Sequence, residues 1–333
     1  MDVTRSGKMP NVWKMSPIGK IMVTSNFVGT KCLVAQWANS YRAIGYDVVN
    51  INVNDLISRN AIPSAVSISI SMLSNTNLKV IKGIADGVST ACTESNIIFL
   101  PGETAQLPEI LQQEFPGKTF NIVGFGIGLI HNFSSPEPIK EGDLIIGLES
   151  NGLHCNGFSL VRKTLIDRWS FVEGYKTFSV GDKFIPTGKK IEEELLRPTF
   201  SYRSMIDALK NNKIEIKGSA NVTNEGITCL WKFINLHNVG FYIDNFPDIP
   251  PIFLEIQKRG NVSIGEMFRV FNMGLGFYLI ASPDREDDIL TLAKETDLKA
   301  YTVGRVIEQS QNINIQLKKE EIVFKKPNEW KVC

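Results

Sequence analysis

Residues 65–72 alternate without a break: Val66, Ile68, Ile70 and Met72 fall on one side, Ser67, Ser69 and Ser71 on the other. A period of two over that length predicts a strand with one buried and one polar face, and its apolar face must be covered by another layer. The flanking segments supply helices. Leu78, Ile81, Ile84, Val88 and Ala91 recur at helical spacing over 78–92; Leu33, Val34, Trp37, Tyr41 and Ile44 do so over 33–44. Asp47 is placed as the N-cap of a further helix over 48–59, ended by Pro63. Ile21–Val23 reads as a short strand before a loop at 24–31, Asn96–Leu100 as an apolar strand, and Phe120–His131 as another carrying Gly124, Gly126 and Gly128 on one side. Those glycines fit no complete G-x-G-x-x-G and precede no helix, so close backbone packing in a sheet explains them better than a dinucleotide fingerprint.

A chain of 333 residues exceeds the usual single core. The turn-rich Ser134–Pro138 is the best linker, giving domains 1–137 and 138–333. The second half opens with a strand at 144–148, a polar loop at 149–157 and a helix at 158–169. Helices follow at 189–196, 202–211, 226–236 and 286–295, with strands at 240–243 and 276–281. The fold class is α/β with mixed sheets.

Charge narrows the partners. Lys and Arg total 36 against 35 Asp and Glu, and the lysines near the C-terminus are interleaved with Glu320 and Glu321, so nucleic acid is excluded as a partner and a small molecule expected. Five scattered cysteines without a CxxC pair imply reduced thiols. With no apolar leader and no membrane-length apolar run, the expectation is a cytoplasmic protein.

Four polar segments stand at junctions where α/β proteins place ligands. Val28-Gly29-Thr30-Lys31 opens a helix, so it is either a phosphate turn with Lys31 as point charge or an ordinary capped turn. Asp55, beside Asn54, is either an exposed face residue or a magnesium ligand. Glu103, before Thr104, is either a second metal ligand or first-turn charge. His154, in the loop containing Asn156, is either a surface histidine or a general acid–base group or phosphate donor. Cys155 is expected to be inert.

Together these segments resemble the phosphoribosylformylglycinamidine cyclo-ligase (aminoimidazole ribonucleotide synthetase) family. His154 with Asn156-Gly157-Phe158-Ser159-Leu160-Val161-Arg162-Lys163 is similar to the family's H-S-N-G-[YF]-S-L-V-R-K. Val28–Lys31 resembles the end of T-D-G-V-G-T-K, Val53–Leu56 V-N-D-L, Gly102–Ala105 G-G-E-T-A, Leu196–Thr199 L-x-P-T, and Glu266–Gly276 E-M-Y-R-T-F-N-C-G-V-G. The resemblance implies a two-domain fold whose N-terminal strands build a barrel across a homodimer, with ATP in a cleft. It implies conversion of formylglycinamidine ribonucleotide and ATP to aminoimidazole ribonucleotide, ADP and phosphate in purine synthesis. It also implies roles: magnesium on Asp55 and Glu103, phosphates or nucleotide on Gly29, Thr30, Lys31, Asn54 and Thr104, and the reacting centre at His154 and Asn156. Three departures stand out. Asn26-Phe27 replaces Asp-Gly, which removes one expected carboxylate. Thr223-Asn224-Glu225-Gly226 replaces T-G-G-G, and the segment before Ile21 lacks the family's Gly-rich arm. The rival readings are a non-catalytic nucleotide-binding relative and another ATP-using member of the superfamily, such as a selenophosphate synthetase-like protein.

Overall fold

The computed structural model describes residues 3–5, 12–15, 19–113, 115–130, 137–165, 168–172, 175–179, 190–308, 310–318 and 320–325. The chain forms two compact units, one from Met1–Phe133, Asn151–Arg203 and Pro250–Val262, the other from Ser134–Ser150, Ser204–Ile249 and Ser263–Cys333.

The first unit contains strands β1 (Val3–Arg5), β2 (Val12–Met15), β3 (Gly19–Phe27), β4 (Ile62–Met72), β5 (Ile98–Phe99), β6 (Glu103–Gln106) and β7 (Phe120–Ile130), with helices α1 (Lys31–Ala38), α2 (Arg42–Ile57), α3 (Leu78–Glu94) and α4 (Phe158–Leu165). The sheet order is β1-β2-β3-β7-β4-β5, with β6 also on β4. β5 and β6 run parallel to β4 and the other neighbours are antiparallel. The alternation at 65–72 is borne out: Val66, Ile68 and Ile70 are buried, while the intervening serines are half-buried on the other face.

Helix α2 lies across the covered face, and the glycines of β7 let it approach. A Cβ at Gly124 would stand 2.6 Å from Asn52 Nδ2, and one at Gly128 3.0 Å from Leu56 Cδ2. The glycine run therefore serves helix-on-sheet packing. On its far side α2 meets α3 through Gly45 and Gly87; a Cβ on Gly87 would fall 2.0 Å from the Arg42 carbonyl oxygen. Twelve of the sixteen α2 residues are buried, including Asp47, Asn50, Asn52 and Asn54.

Several boundaries differ from expectation. β3 runs to Phe27, because Met22, Thr24 and Asn26 face α2 while Val23, Ser25 and Phe27 face outward; polar inward residues disguise the alternation. The helix expected over 33–44 is two helices, since Asn39 takes φ 54° and ends α1. Asp47 is no N-cap; it lies inside α2, fully buried. The strand expected over 96–100 shrinks to Ile98–Phe99, and both residues are exposed. The helix expected over 158–169 stops at Leu165, and Arg168–Val172 is a strand pairing with Tyr175–Ser179. Ser134, Ser135 and Pro136 of the expected linker lie outside the described residues.

The second unit carries a seven-stranded sheet in the order Gly218–Asn221, Leu275–Ala281, Leu144–Glu149, Ala300–Glu308, Val239–Ile243, Asn312–Leu317, Glu320–Lys325. Leu275–Ala281 is buried throughout. Lys217 and Asp143 form a buried ion pair at 2.8 Å. No helix among the described residues is long and apolar enough to cross a membrane.

Candidate active site

The turn between β3 and α1 begins with the Val28 N–H donating to the Ile122 carbonyl at 3.4 Å. Gly29 follows at φ 71° with open space around it, a conformation that glycine adopts without cost. Thr30 heads α1, and its Oγ1 lies 3.3 Å from the hydroxyl of Ser159 in the first turn of α4. Two helix starts thus meet at a pair of hydroxyls.

Lys31 does not join them as a surface charge. Its side chain is fully buried, with Nζ 2.8 Å from Asp47 Oδ2 and donating to the carbonyls of His154 (3.0 Å) and Arg197 (2.7 Å). Two hydrogen bonds and an ion pair within the protein make Lys31 an internal anchor here rather than a surface charge. Asn54 is likewise engaged within the protein. Its Nδ2 donates to the Phe200 carbonyl at 2.7 Å and its Oδ1 accepts from the Tyr202 N–H at 3.1 Å. Asp47 Oδ1 accepts from both the N–H and the hydroxyl of Thr199, each at 2.7 Å, and Asn50 Nδ2 donates to the Thr199 carbonyl at 2.8 Å. Asp47, Asn50 and Asn54, three and four residues apart on one helix stripe, hold the backbone of 199–202 as a neighbouring strand would.

His154 is 2% exposed and sits at φ 58°. Its Nε2 accepts from the N–H groups of Asn151 (3.2 Å) and Phe200 (3.4 Å). Burial, with the Lys31 charge adding to it, holds its pKa down to about 3. A ring that stays neutral, with Nε2 occupied by two backbone donors, orders the 151–157 loop; the expected general acid–base role is not what this geometry supports. The sign of the linkage is fixed. The unfolded chain takes up a proton near 6.5 and the folded chain only near 3, so this contribution is complete above pH 6.5 and is lost as pH falls. The expected acid-side slope reaches about 1.4 kcal/mol per pH unit. Urea unfolding at pH 7.5, 6 and 5 should show a steeper fall for wild type than for His154→Gln; equal slopes would refute a neutral buried ring. Burial also pushes the Cys155 thiol well above its ordinary range, in keeping with an inert cysteine.

Asp55 is half-buried near the end of α2. Asn26 Nδ2 donates to Asp55 Oδ2 at 2.9 Å and to Asn52 Oδ1 at 3.2 Å; Asn52 Oδ1 also accepts from the Thr24 hydroxyl at 2.9 Å, and Asn52 Nδ2 donates to the Val48 carbonyl at 2.8 Å. Glu103 is not brought to this cluster. It pairs with Ser69, whose neighbours Ile68 and Ile70 point toward α2, so Glu103 lies on the opposite face of the sheet from Asp55. Glu103 and Thr104 are exposed, with the Thr104 N–H donating to Glu103 Oε1 at 3.1 Å. Among the described residues no three His, Cys, Asp or Glu gather as a metal cage. A single carboxylate still suits magnesium, which keeps waters and takes most of its ligands from nucleotide phosphates; Asp55 fits that need and Glu103 of the same chain does not share it. Asn156 is buried at 2% exposure in the loop that His154 orders. In the second unit Asn224 and Glu225 are exposed, while a Cβ at Gly226 would meet the Phe268 carbonyl oxygen at 2.1 Å.

Sequence reasoning missed Asp47 as an anchor, along with Asn50, Asn52, Thr199 and Ser159. A usable signal existed: Asp47, Asn50, Asn52 and Asn54 are interleaved with Val48, Val49, Ile51 and Val53 in one helix, too regularly placed for a solvated face.

Comparison with known proteins now bears on this arrangement. The profile described as "AIR synthase related protein, N-terminal domain" matches residues 7–130, and that described as "AIR synthase related protein, C-terminal domain" matches residues 140–315. The chain belongs to the AIR synthase-related family. Within this family, the phosphoribosylformylglycinamidine cyclo-ligase of Methanocaldococcus jannaschii is 33% identical over 291 residues, 86% of this chain and 78% of that one. The enzyme of the same name from Methanobrevibacter smithii is 36% identical over 293 residues, 87% and 81%. Among solved structures the fold is similar to that of the hydrogenase maturation protein HypE, with TM-score 0.65 at 14% identity over 97% of this chain and 94% of that one. The family resemblance read from the motifs is borne out, as is the mixed α/β class.

Proposed function

We propose that this chain is an ATP-dependent cyclo-ligase that converts formylglycinamidine ribonucleotide to aminoimidazole ribonucleotide with release of ADP and phosphate. What carries the reading is the identity, above 30% and along most of the chain, to enzymes bearing that name. The γ-phosphoryl group of ATP passes to the formyl oxygen; a ring-closing nitrogen then attacks the formyl carbon, and the C–O bond breaks to release phosphate. Such chemistry rests on positioning and charge neutralisation rather than on a protein nucleophile. The Gly29–Thr30 turn and Ser159, at two helix starts, suit phosphate oxygens, and Asn156, in the loop ordered by His154, is assigned to the reacting centre. Magnesium on Asp55 would offset the phosphate charge when bound.

The test is direct: purified protein with formylglycinamidine ribonucleotide, ATP and magnesium should yield aminoimidazole ribonucleotide and ADP in equal amounts. Measurable ATP binding without product would instead favour a non-catalytic relative.

The homodimer belongs to the same proposal. The uncovered face of the first sheet exposes Phe27 (61%), Val23 (39%) and Phe125 (38%), beside Ile98 of β5. A second copy meeting that face would bury them and close the strands toward a barrel, placing Glu103 and Thr104 beside the junction. Phe125→Glu is expected to yield monomer in analytical ultracentrifugation; an unchanged dimer would rule this face out.

A further inference from the structure

We infer that Asp47 is a positioning residue of the active site: its one carboxylate, through Lys31 and Thr199, locks the Val28–Thr30 turn, the 151–157 loop and the 197–202 segment into a single arrangement. The inference rests on the proposed placement of nucleotide and substrate at the first two of these. The 151–157 loop and the 197–202 segment are tied down by side chains that reach their backbone, and Lys31, next to the turn, supplies one of those side chains. The Lys31 ammonium binds the carbonyls of His154 and Arg197, Asp47 Oδ2 holds that ammonium, and Asp47 Oδ1 takes the Thr199 N–H and hydroxyl. Every contact lies between 2.7 and 3.0 Å, and both charged side chains are 0% exposed.

Stability alone does not account for such an arrangement. Well-packed apolar residues of similar volume hold a fold as firmly as a buried ion pair or more so, because both charges have lost their water. What the pair adds is direction: Lys31 selects two carbonyls from two loops, and Asp47 aims it. Thr30 and Ser159 meet at 3.3 Å beside this anchor, and a 1 Å displacement of groups that orient a phosphoryl transfer costs on the order of 100-fold in rate.

The test replaces the pair by an apolar one, Lys31→Met with Asp47→Leu, and reads melting temperature, kcat and KM for ATP. Asp47→Leu alone leaves a buried unpaired ammonium and should melt well below wild type. The double variant removes the uncompensated charge but leaves the Thr199 N–H and the His154 and Arg197 carbonyls without these partners, so it should recover part of that loss, yet show kcat lowered and KM for ATP raised, each about tenfold or more. A folded double variant with wild-type kcat and KM would overturn the inference. Thr199→Val removes at constant volume the hydroxyl that bonds Asp47 and the Cys155 thiol, and gives a second reading that does not depend on the double variant folding. Its kcat/KM should fall about threefold, with Thr199→Ser recovering much of it; no change in Thr199→Val would count against Asp47. Wild-type turnover is measured alongside. Its absence overturns the proposed reaction, and the dissociation constant for ATP, compared across the same variants, then decides the role of Asp47.

Discussion

Asp55→Ala is expected to abolish magnesium-dependent ATP binding and to lower kcat/KM by at least about 100-fold, equivalent to ~2.7 kcal/mol of transition-state stabilisation. The size follows from the surroundings. Asp55 is the one carboxylate in a cluster otherwise made of Asn26, Asn52 and Thr24, and one of its oxygens is oriented by the Asn26 amide. A hard cation draws its affinity from charge, and amide oxygens replace a carboxylate poorly. Asn26 presents its donor end to Asp55, so Asn26→Ala removes an orienting bond and no negative charge. Its expected effect is about tenfold or less. Isothermal titration with ATP, with and without magnesium, separates the two variants. Equal and small losses would sink the assignment of metal to Asp55, whereas an equal and severe loss would make Asn26 a partner rather than a support.

Gly87→Ala is expected to lower the stability of the first unit by at least ~2 kcal/mol, although the same change in an exposed helix would raise it by ~1 kcal/mol. The added methyl would stand 2.0 Å from the Arg42 carbonyl oxygen and 3.0 Å from Gly45 Cα, both backbone atoms of α2 with no rotamer to move. Helices α2 and α3 must then separate. Because α2 also rests on β7 and holds 199–202, the shift reaches the active site. Denaturant unfolding followed by tryptophan fluorescence measures the loss, and a variant as stable as wild type would show that the two helices can part at little cost.

Much of this architecture was legible in the chain. Residues 65–72 and 78–92 declared themselves because, the exposed Leu78 apart, their polar and apolar residues sort by exposure, which is what periodicity reports. Asp47, Asn50 and Asn54 defeated the same reasoning, because a helix buried on three sides turns polar groups inward wherever a neighbouring backbone needs partners. Asp47 looked like an N-cap for that reason; a carboxylate inside an apolar run suggests a helix start unless a residue 152 positions away supplies its donors. Lys31 and His154 lie in recognisable motifs, but motif residues do not announce whether they touch ligand or hold the loop that does. Asp55 and Glu103 appeared as a natural pair in sequence. Only the strand register, Glu103 opposite Ser69, places them on different faces.

The latch of α2 onto 199–202 also bears on how the protein can be made. As the chain leaves the ribosome, α2 emerges some 140 residues before the segment that satisfies Asp47, Asn50 and Asn54. Until then an ion pair and two amides destined for the interior must stay hydrated, so the first sheet cannot settle around α2 in its final form. An excised fragment ending near residue 137 would carry that debt permanently, and co-expression with the remainder is the natural route to a folded N-terminal half.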